Sequence, residues 1–201
     1  RGAGREEIAR AGEVLDPPTR TKIAEIAAIH QFARVNAGGE AIVSRGKPVL
    51  TISGVDVAVP PGAFMQAVAE AEVAMAEIVV AATKRAKVVA DLFCGVGTFS
   101  FALSRRARVF AADSDRSSIA ALATAARGAQ GLKPIEAKVR DLFREPLGWQ
   151  ELRAYDAVVF DPPRAGAKAQ AAELAKSKVP TIVAVSCNPA TLARDAQILN
   201  A

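Results

Sequence analysis

The chain has 201 residues and a net charge of +5, and its 51% hydrophobic and 23% charged residues are typical of a packed globular protein, which excludes global disorder. No run reaches the roughly 20 apolar residues that a membrane span needs, and the sequence carries no signal peptide pattern. Two cysteines and one histidine exclude a disulfide scaffold, a multi-histidine metal site and a four-cysteine iron–sulfur cluster, so we predict no metal or cluster within this chain.

The first 60 residues predict a small α+β segment. The elements expected there are a short helical pattern that ends at Pro17 and Pro18, a helix over 21–32, and an antiparallel unit of short β-branched runs over 41–59. Pro60, Pro61 and Gly62 mark a boundary, and a long amphipathic helix is predicted over 66–84.

From residue 87 onward, apolar strands alternate with helices of about ten residues, which predicts a parallel sheet covered on both faces. The strands are expected over 88–93, 107–113, 134–139, 154–161 and 181–187, and the helices over 98–106, 116–128, 167–178 and 190–199. Ligands of such sheets lie beyond the carboxyl ends of the strands, where the strand order reverses. The motifs described next all follow a strand's carboxyl end.

A glycine-rich turn follows the first of these strands. Gly95 and Gly97 allow a ligand to approach the backbone, and Asp113 lies 18 residues after Gly95, where a carboxylate is placed to bind ribose hydroxyls. Ser100 occupies the position of the third glycine of a dinucleotide fingerprint, which disfavours NAD. We therefore predict a nucleoside ligand rather than a plain tight turn, with a form closer to S-adenosylmethionine binding.

Two further polar residues in this region have open interpretations. Asp141 follows the third strand and either approaches an adenine edge or caps a turn. Thr98 stands at the start of a helix and is equally well explained as its N-terminal cap.

The last two motifs carry candidate catalytic residues. Asp161 precedes Pro162 and Pro163, which fix the backbone where the strand ends, so its carboxylate is either a rigidly oriented ligand of a planar base or a loop cap. Cys187 emerges from a strand directly before a helix, and a helix N-terminus with basic residues nearby favours the nucleophilic thiolate. By contrast, Cys94 lies inside the glycine-rich turn and is predicted to be structural.

The strings DLFCGVGTF, FDPPRAGA and SCNPATLARD, in this order, resemble the RNA uracil-5-methyltransferase family, which makes 5-methyluridine in tRNA or rRNA from S-adenosylmethionine. The resemblance covers roughly residues 60–199. It implies a Rossmann-like class I methyltransferase fold, with a catalytic domain over 61–201 and part of a central RNA-contacting region over 1–60. RNA, either rRNA or tRNA, is the implied partner.

The resemblance also implies a covalent mechanism in which a thiolate adds to carbon 6 of uracil and so activates carbon 5. Cys187 is the implied nucleophile, and Asp161 is implied at the junction of cofactor and uracil. The implied cofactor-binding residues are Gln66, Phe93, Gly95, Gly97, Thr98, Asp113, Asp141 and Asp161. Thr98 and Asp141 replace the family's frequent Asn, and Asp113 its usual Glu, while each keeps hydrogen-bonding ability. Without the resemblance, the sequence alone would predict Gln66 to be an exposed residue at the start of a helix.

Family members carry a general-base glutamate in a His-x-Glu segment after two more strands, and this chain ends at Ala201 before such a segment. We therefore expect an incomplete catalytic domain that binds S-adenosylmethionine but turns over poorly. The strand over 181–187 is expected to form an exposed edge that favours self-association. No membrane partner is expected, and the free thiol nucleophile favours a cytoplasmic location.

Several alternatives stay open at this point. An amino-group methyltransferase shares the glycine-rich turn, but it usually carries an aromatic residue after Pro-Pro, where this chain has Arg164. A cytosine-5 methyltransferase normally uses Pro-Cys contexts, which are absent here. An RNA-binding module that uses the cofactor fold only structurally would not need Cys187. Basic residues that can line an RNA path, or equally a solvated face, are Arg105, Arg106, Arg108, Lys133, Lys138 and Arg140.

Overall fold

The computed structural model describes residues 15–37, 40–65 and 68–200. It begins with helix α1 (Pro17–Ile29), whose N-cap Asp16 accepts a hydrogen bond from the Thr19 amide at 2.8 Å. Pro17 and Pro18, which we expected to end an earlier helical pattern, form the first turn of α1, where a proline loses no intrahelical hydrogen bond, so α1 begins before the expected residue 21. The earlier helical pattern lies mostly outside the described residues.

Two small antiparallel sheets follow α1. Strands β1 (Arg34–Ala37) and β2 (Glu40–Ser44) form one, and strands β3 (Val49–Ile52) and β4 (Val55–Ala58) form the other. The antiparallel pairing was expected, but β1 was not, because its four residues are too few for a clear pattern and include only one β-branched side chain. The β3–β4 hairpin buries Ile52, Val55 and Val57 on one side.

The rest of the chain forms a five-stranded parallel sheet in the order β7-β6-β5-β8-β9. Its strands are β5 (Val88–Leu92), β6 (Arg108–Asp113), β7 (Ile135–Val139), β8 (Ala157–Phe160) and β9 (Thr181–Ala184). Its helices are α2 (Ala69–Ala82), α3 (Thr98–Ser104), α4 (Arg116–Gly128), α5 (Trp149–Leu152), α6 (Lys168–Ala175) and α7 (Pro189–Leu199). The order reverses at β5, so the predicted Rossmann-like α/β class is confirmed.

Both faces of the central strands β5 and β8 are buried, which explains why these strands are almost wholly apolar. Residues that alternate along β5 separate into two clusters, with Val89 on one face and Ala90 and Leu92 on the other. Helices α2, α3 and α4 cover the first face together with the β3–β4 hairpin, and α5, α6 and α7 border the second. The hairpin therefore shares its core with the parallel sheet.

At one side of the sheet, β9 pairs with β8 and, within the described residues, with no other strand. Self-association through this edge stays a prediction. None of the helices in the described ranges combines the length and the apolar character needed to cross a membrane.

Candidate active site

The carboxyl ends of the parallel strands are joined by backbone hydrogen bonds that extend beyond the strands themselves. These bonds run from Val185 N to Phe160 O (2.9 Å), Asp161 N to Leu92 O (3.2 Å), Cys94 N to Ala112 O (3.2 Å) and Arg140 N to Asp113 O (2.8 Å). They bring the segments that hold Cys187, Asp161, Phe93, Asp113 and Asp141 to one edge of the sheet. The segments of five residues predicted from separate motifs thus end at the same edge of the sheet.

The turn over residues 93–97, here called the glycine loop, is fixed by Asp113. One carboxylate oxygen of Asp113 accepts the Gly95 amide at 2.9 Å, and the other accepts the Asp115 amide at 2.9 Å. Each oxygen keeps a second lone pair for a ligand hydroxyl. Asp113 is thus both a support of the loop and an available acceptor.

The two glycines of the loop face different surroundings. No heavy atom lies within 4 Å of the point where a Cβ of Gly95 would stand, so the loop is open on that side. At Gly97 a Cβ would stand 2.8 Å from Phe101 and 3.0 Å from Leu122, inside the core. The open side of the loop, at Gly95, is therefore the side on which a ligand fits.

The structure shows that Thr98 is not the N-cap of its helix. Gly97 is the N-cap of α3, without a side-chain capping bond, and Thr98 is the first residue of the helix. Asp141 does cap a turn, since its Oδ1 accepts the amides of Phe143 at 3.0 Å and Arg144 at 3.3 Å. Ligand binding by Thr98 and Asp141 stays a prediction.

Asp91 is a site residue that the sequence reasoning missed. Its side chain is fully buried at the end of β5, Oδ2 accepts the Ser100 hydroxyl at 2.5 Å, and Oδ1 has no partner among the described residues. Burial raises the pKa of Asp91 to about 7; the Asp161 and Asp113 carboxylates add to this rise, and the Ser100 bond opposes it. A lone acid in an apolar strand was the available signal.

An aromatic pair beside the glycine loop was also missed in part. Phe93 and Phe143 lie with ring centroids 5.4 Å apart at an interplanar angle of 59°. Phe93 has φ of +60°, which is a rare conformation for an aromatic residue, and Phe143 is 47% exposed. The pair gives the site an apolar wall next to Asp141.

The two candidate catalytic residues follow adjacent strands, Asp161 directly after β8 and Cys187 shortly after β9. Asp161 is half-buried, and burial raises the pKa of its carboxyl. Cys187 is a free, exposed thiol directly before Asn188, the N-cap of α7. Cys94 is buried, and burial together with the Asp91 and Asp113 carboxylates raises the pKa of its thiol well above the ordinary value, as suits a structural residue.

Two further groups of predicted residues remain. Gln66 lies outside the described residues. Among the basic residues, Arg140 bonds both carboxylate oxygens of Glu151 at 2.8 and 2.9 Å, and Arg105 bonds the backbone oxygens of Ser53 and Gln130. Arg140 and Arg105 thus have structural partners, which weakens their assignment to an RNA path.

Comparison with known proteins identifies relatives among RNA methyltransferases. The sequence profile of the tRNA (uracil-5-)-methyltransferase family matches residues 50–201. An uncharacterized RNA methyltransferase of Rhizobium meliloti (strain 1021) is 53% identical over 189 residues, covering 94% of this chain and 46% of that protein. The 23S rRNA (uracil(1939)-C(5))-methyltransferase RlmD of Colwellia psychrerythraea is 38% identical over 115 residues, 55% of this chain and 24% of that protein.

Among solved structures, a tRNA (uracil-54, C5)-methyltransferase of Pyrococcus abyssi in complex with S-adenosyl-L-homocysteine has a TM-score of 0.71 and 24% identity, covering 97% of this chain and 50% of that one. This likeness shows that the fold is the one used by S-adenosylmethionine-dependent methyltransferases. The family profile covers most of the chain, so the chain belongs to the tRNA (uracil-5-)-methyltransferase family. This confirms the resemblance. The chain spans about half the length of the curated relatives it matches.

Proposed function

We propose that the whole protein methylates carbon 5 of a uridine in RNA, with S-adenosylmethionine as the methyl donor and Cys187 as a covalent nucleophile. The observation that carries the proposal is the position of Cys187. Its exposed thiol follows β9, next to the strand that leads to Asp161, at the edge where the glycine loop opens. Membership of the family and the names of the relatives support the reaction class.

The site has the chemistry to hold the methyl donor. S-adenosylmethionine, when bound, supplies a methyl group on a positively charged sulfur. The Asp113 and Asp161 carboxylates lie close enough to Asp91 to add to the rise in its pKa, and Asp91 Oδ1 is a buried acceptor without a described partner. A positively charged ligand would favour the ionised forms of these acids, whose negative charges otherwise oppose one another.

The remaining cofactor residues have complementary roles in this proposal. The glycine loop at Gly95 leaves room for the nucleoside, Asp113 offers acceptors to the ribose hydroxyls, and Phe93 gives the base an apolar surface. Asp141 and Thr98 add polar groups that can bind the nucleoside. The family resemblance supports a further contact from Gln66.

Cys187 performs the step that makes uracil reactive. A new bond forms between its sulfur and carbon 6 of the ring, and the electron pair of the carbon 5–carbon 6 double bond moves toward carbon 5 and the neighbouring carbonyl oxygen. With the donor bound, a bond would form between carbon 5 and the methyl group as the methyl–sulfur bond breaks, and S-adenosylhomocysteine would be released. A base then takes the carbon 5 proton, the carbon 5–carbon 6 double bond reforms and the Cys187 sulfur leaves as a thiolate. We assign no residue of this chain to that base.

Asp161 is proposed to position the uracil ring for this addition. Two prolines follow it, so its backbone is rigid, and its amide is held by Leu92 O on the neighbouring strand. Burial favours its protonated form, and a protonated carboxyl can donate a hydrogen bond to a ring carbonyl as well as accept one from a ring N–H. Asp161 follows β8, which lies between β9, the strand before Cys187, and β5, the strand before the glycine loop.

The test uses the whole protein with methyl-labelled S-adenosylmethionine and total RNA, followed by mass spectrometry of the digested RNA. We expect 5-methyluridine at a defined site. Cys187→Ser is expected to abolish the product while the calorimetric affinity for the cofactor changes by less than about twofold, since a catalytic nucleophile is not needed for binding. Cys94→Ala removes the other cysteine; since Cys94 lies in the glycine loop, its rate is measured at saturating cofactor, where methylation is expected to persist.

A trapping experiment separates the covalent mechanism from the reaction class. RNA containing 5-fluorouridine keeps the adduct in place, because fluorine cannot leave carbon 5 as a proton does. We expect a protein–RNA complex that survives denaturation with the wild type and is absent with Cys187→Ser. Methylation of another atom would refute the reaction class, and an equally strong complex with the serine variant would remove Cys187 from the mechanism.

A further inference from the structure

The segments that carry Asp161 and Cys187 are joined by side chains from the start of α7. Four residues make these contacts, and we call them the loop clamp: Asn188, Thr191, Arg194 and Asp195. Their partners are backbone groups of residues 164–167, the loop that follows Asp161. The proposed chemistry uses none of these four side chains, although all of them belong to the motif around Cys187.

Asp195 lies at the centre of the clamp. Its side chain is 2% exposed, Oδ2 accepts the Ala167 amide at 2.6 Å, and Oδ1 accepts two bonds from the Arg194 guanidinium at 2.9 and 2.7 Å. The same guanidinium donates to Ala165 O at 3.0 Å. A buried carboxylate is costly unless it is paired in this way, so the two residues work as a unit.

Asn188 and Thr191 hold the other end of the same loop. The Asn188 side-chain amide donates to Arg164 O at 3.1 Å, and the Thr191 hydroxyl lies 3.3 Å from the same oxygen. Asn188 also caps α7 through Ala190 N and directly follows Cys187. A displacement of the loop is therefore passed to the residue next to the nucleophile.

Gly166 shows how closely the loop and the helix approach. It has φ of +74°, and a Cβ there would stand 2.7 Å from the Asp195 carboxylate and 2.9 Å from Thr191, and would also collide with Arg194. The loop can pack against the clamp in this way only if residue 166 has no side chain. The DPPRAG and SCNPATLARD strings are thus two halves of one contact.

We infer that Arg194 and Asp195 are positioning residues that set the placement of the Cys187 thiol relative to Asp161, an inference that rests on the proposed function. Asp195 is buried and so acts on the reaction through the loop and not by contact with RNA. Addition of a thiolate to a ring carbon needs the reacting atoms in a near-attack geometry, and a displacement of 1 Å costs about 100-fold in rate.

The experiment compares Arg194→Ala, Arg194→Lys and Asp195→Asn in the whole protein. We expect kcat for RNA methylation to fall by roughly 10- to 100-fold in Arg194→Ala and Asp195→Asn, because the nucleophile is misplaced. The affinity for S-adenosylmethionine is expected to change by less than about twofold, since the clamp does not contact the glycine loop. Arg194→Lys keeps the charge but loses the planar guanidinium, so its kcat is expected to lie between those of the wild type and Arg194→Ala.

Glu173→Gln is the matched control. Glu173 has the same bonding pattern elsewhere, with one oxygen accepting the Trp149 amide at 3.0 Å and the other bonding Lys176 at 2.7 Å. We expect a lower melting temperature with wild-type kcat. The double variant Arg194→Ala/Asp195→Asn is expected to be no slower than the slower single variant, because the pair acts as a unit.

The outcomes distinguish this inference from the proposed function. A wild-type protein that does not methylate uridine overturns both. If Cys187→Ser is inactive while Arg194→Ala keeps the wild-type kcat, the proposed function stands and the positioning role is overturned. If Asp195→Asn does not fold, the two Arg194 variants decide the question, since both keep the Ala167 amide bond to Asp195 and Arg194→Lys also keeps a positive charge beside it.

Discussion

Asp91 combines burial with a role in the proposed site. Its carboxyl has lost its water entirely, and one oxygen is satisfied only by the Ser100 hydroxyl. The raised pKa of about 7 follows first from this burial. Such a group stays largely protonated in the folded state up to about pH 7, whereas the unfolded carboxyl ionises from about pH 4, so its effect on stability depends on pH.

The sign of that dependence gives a prediction. Because the folded pKa of Asp91 lies above the unfolded value of 3.8, its contribution to stability declines as pH rises from about 4 to about 7. Asp91→Asn cannot ionise, so its stability relative to wild type should improve by roughly 2–3 kcal/mol from pH 5 to pH 8. Urea unfolding at both pH values measures this difference.

Asp156→Asn is the control for the Asp91 prediction. Asp156 accepts the Lys87 and Val88 amides, and these bonds lower the pKa of its carboxyl, so its contribution to stability is present at neutral pH and is lost on acidification. The Asp156 variant should therefore lose more stability at pH 8 than at low pH. A pH-independent difference between wild type and Asp91→Asn would show that Asp91 is already ionised in the fold.

At the scale of elements, the two glycines of the glycine loop, which both precede α3, have different surroundings. Gly97 has φ of +103° and faces Phe101 and Leu122, whereas Gly95 has φ of +53° and faces open space. Gly97→Ala adds left-handed strain of about 1–2 kcal/mol and overpacking of about 1–3 kcal/mol to the folded state. We expect it to lower the free energy of unfolding by roughly 2–4 kcal/mol.

Gly95→Ala is the matched comparison, because only the backbone strain of about 1–2 kcal/mol applies there. Its methyl group would instead enter the space proposed for the nucleoside. We expect a smaller loss of stability in urea unfolding and a larger loss of cofactor affinity in calorimetry than for Gly97→Ala. Equal losses of stability in the two variants would mean that the packing against Leu122 is not what requires Gly97.

The parallel sheet and its helices were predictable because their signal is local. Apolar runs and glycine or proline turns located every strand of the sheet to within a few residues, as for β5 and β8. The misses have local reasons too. Strand β1 has only four residues, of which one is β-branched, and α5 is a single turn. Pro17 and Pro18 can end one helix or begin the next, so the start of α1 was placed too late.

At the scale of the whole molecule, the order of the motifs was enough to predict which residues share the edge of the sheet. Parallel strands place their carboxyl ends at one edge of the sheet, so Asp113, Asp161 and Cys187 were expected at that edge. The loop clamp and the burial of Asp91 were not predictable in this way. They depend on which side chains meet across α7 and the core, and spacing along the chain does not encode that.

The β3–β4 hairpin belongs to this whole-molecule architecture and is held to the sheet domain by more than its apolar side. Arg105, just after α3, donates to Ser53 O in the hairpin turn at 3.1 Å and to Gln130 O at 3.2 Å. Its guanidinium thus bridges the hairpin and the loop after α4. The bridge is exposed to water, so its net contribution is modest.

Arg105→Ala is expected to lower the free energy of unfolding by about 1 kcal/mol, because each bond is exchanged for one to water. Local opening should increase more than global unfolding, since the apolar core remains intact, so hydrogen exchange of the hairpin amides over 49–58 is the sharper measurement. Arg106→Ala is the control, as Arg106 is exposed and has no side-chain bond within the described residues. Exchange that accelerates equally in both variants would mean that the hairpin is held by its buried Ile52, Val55 and Val57 alone.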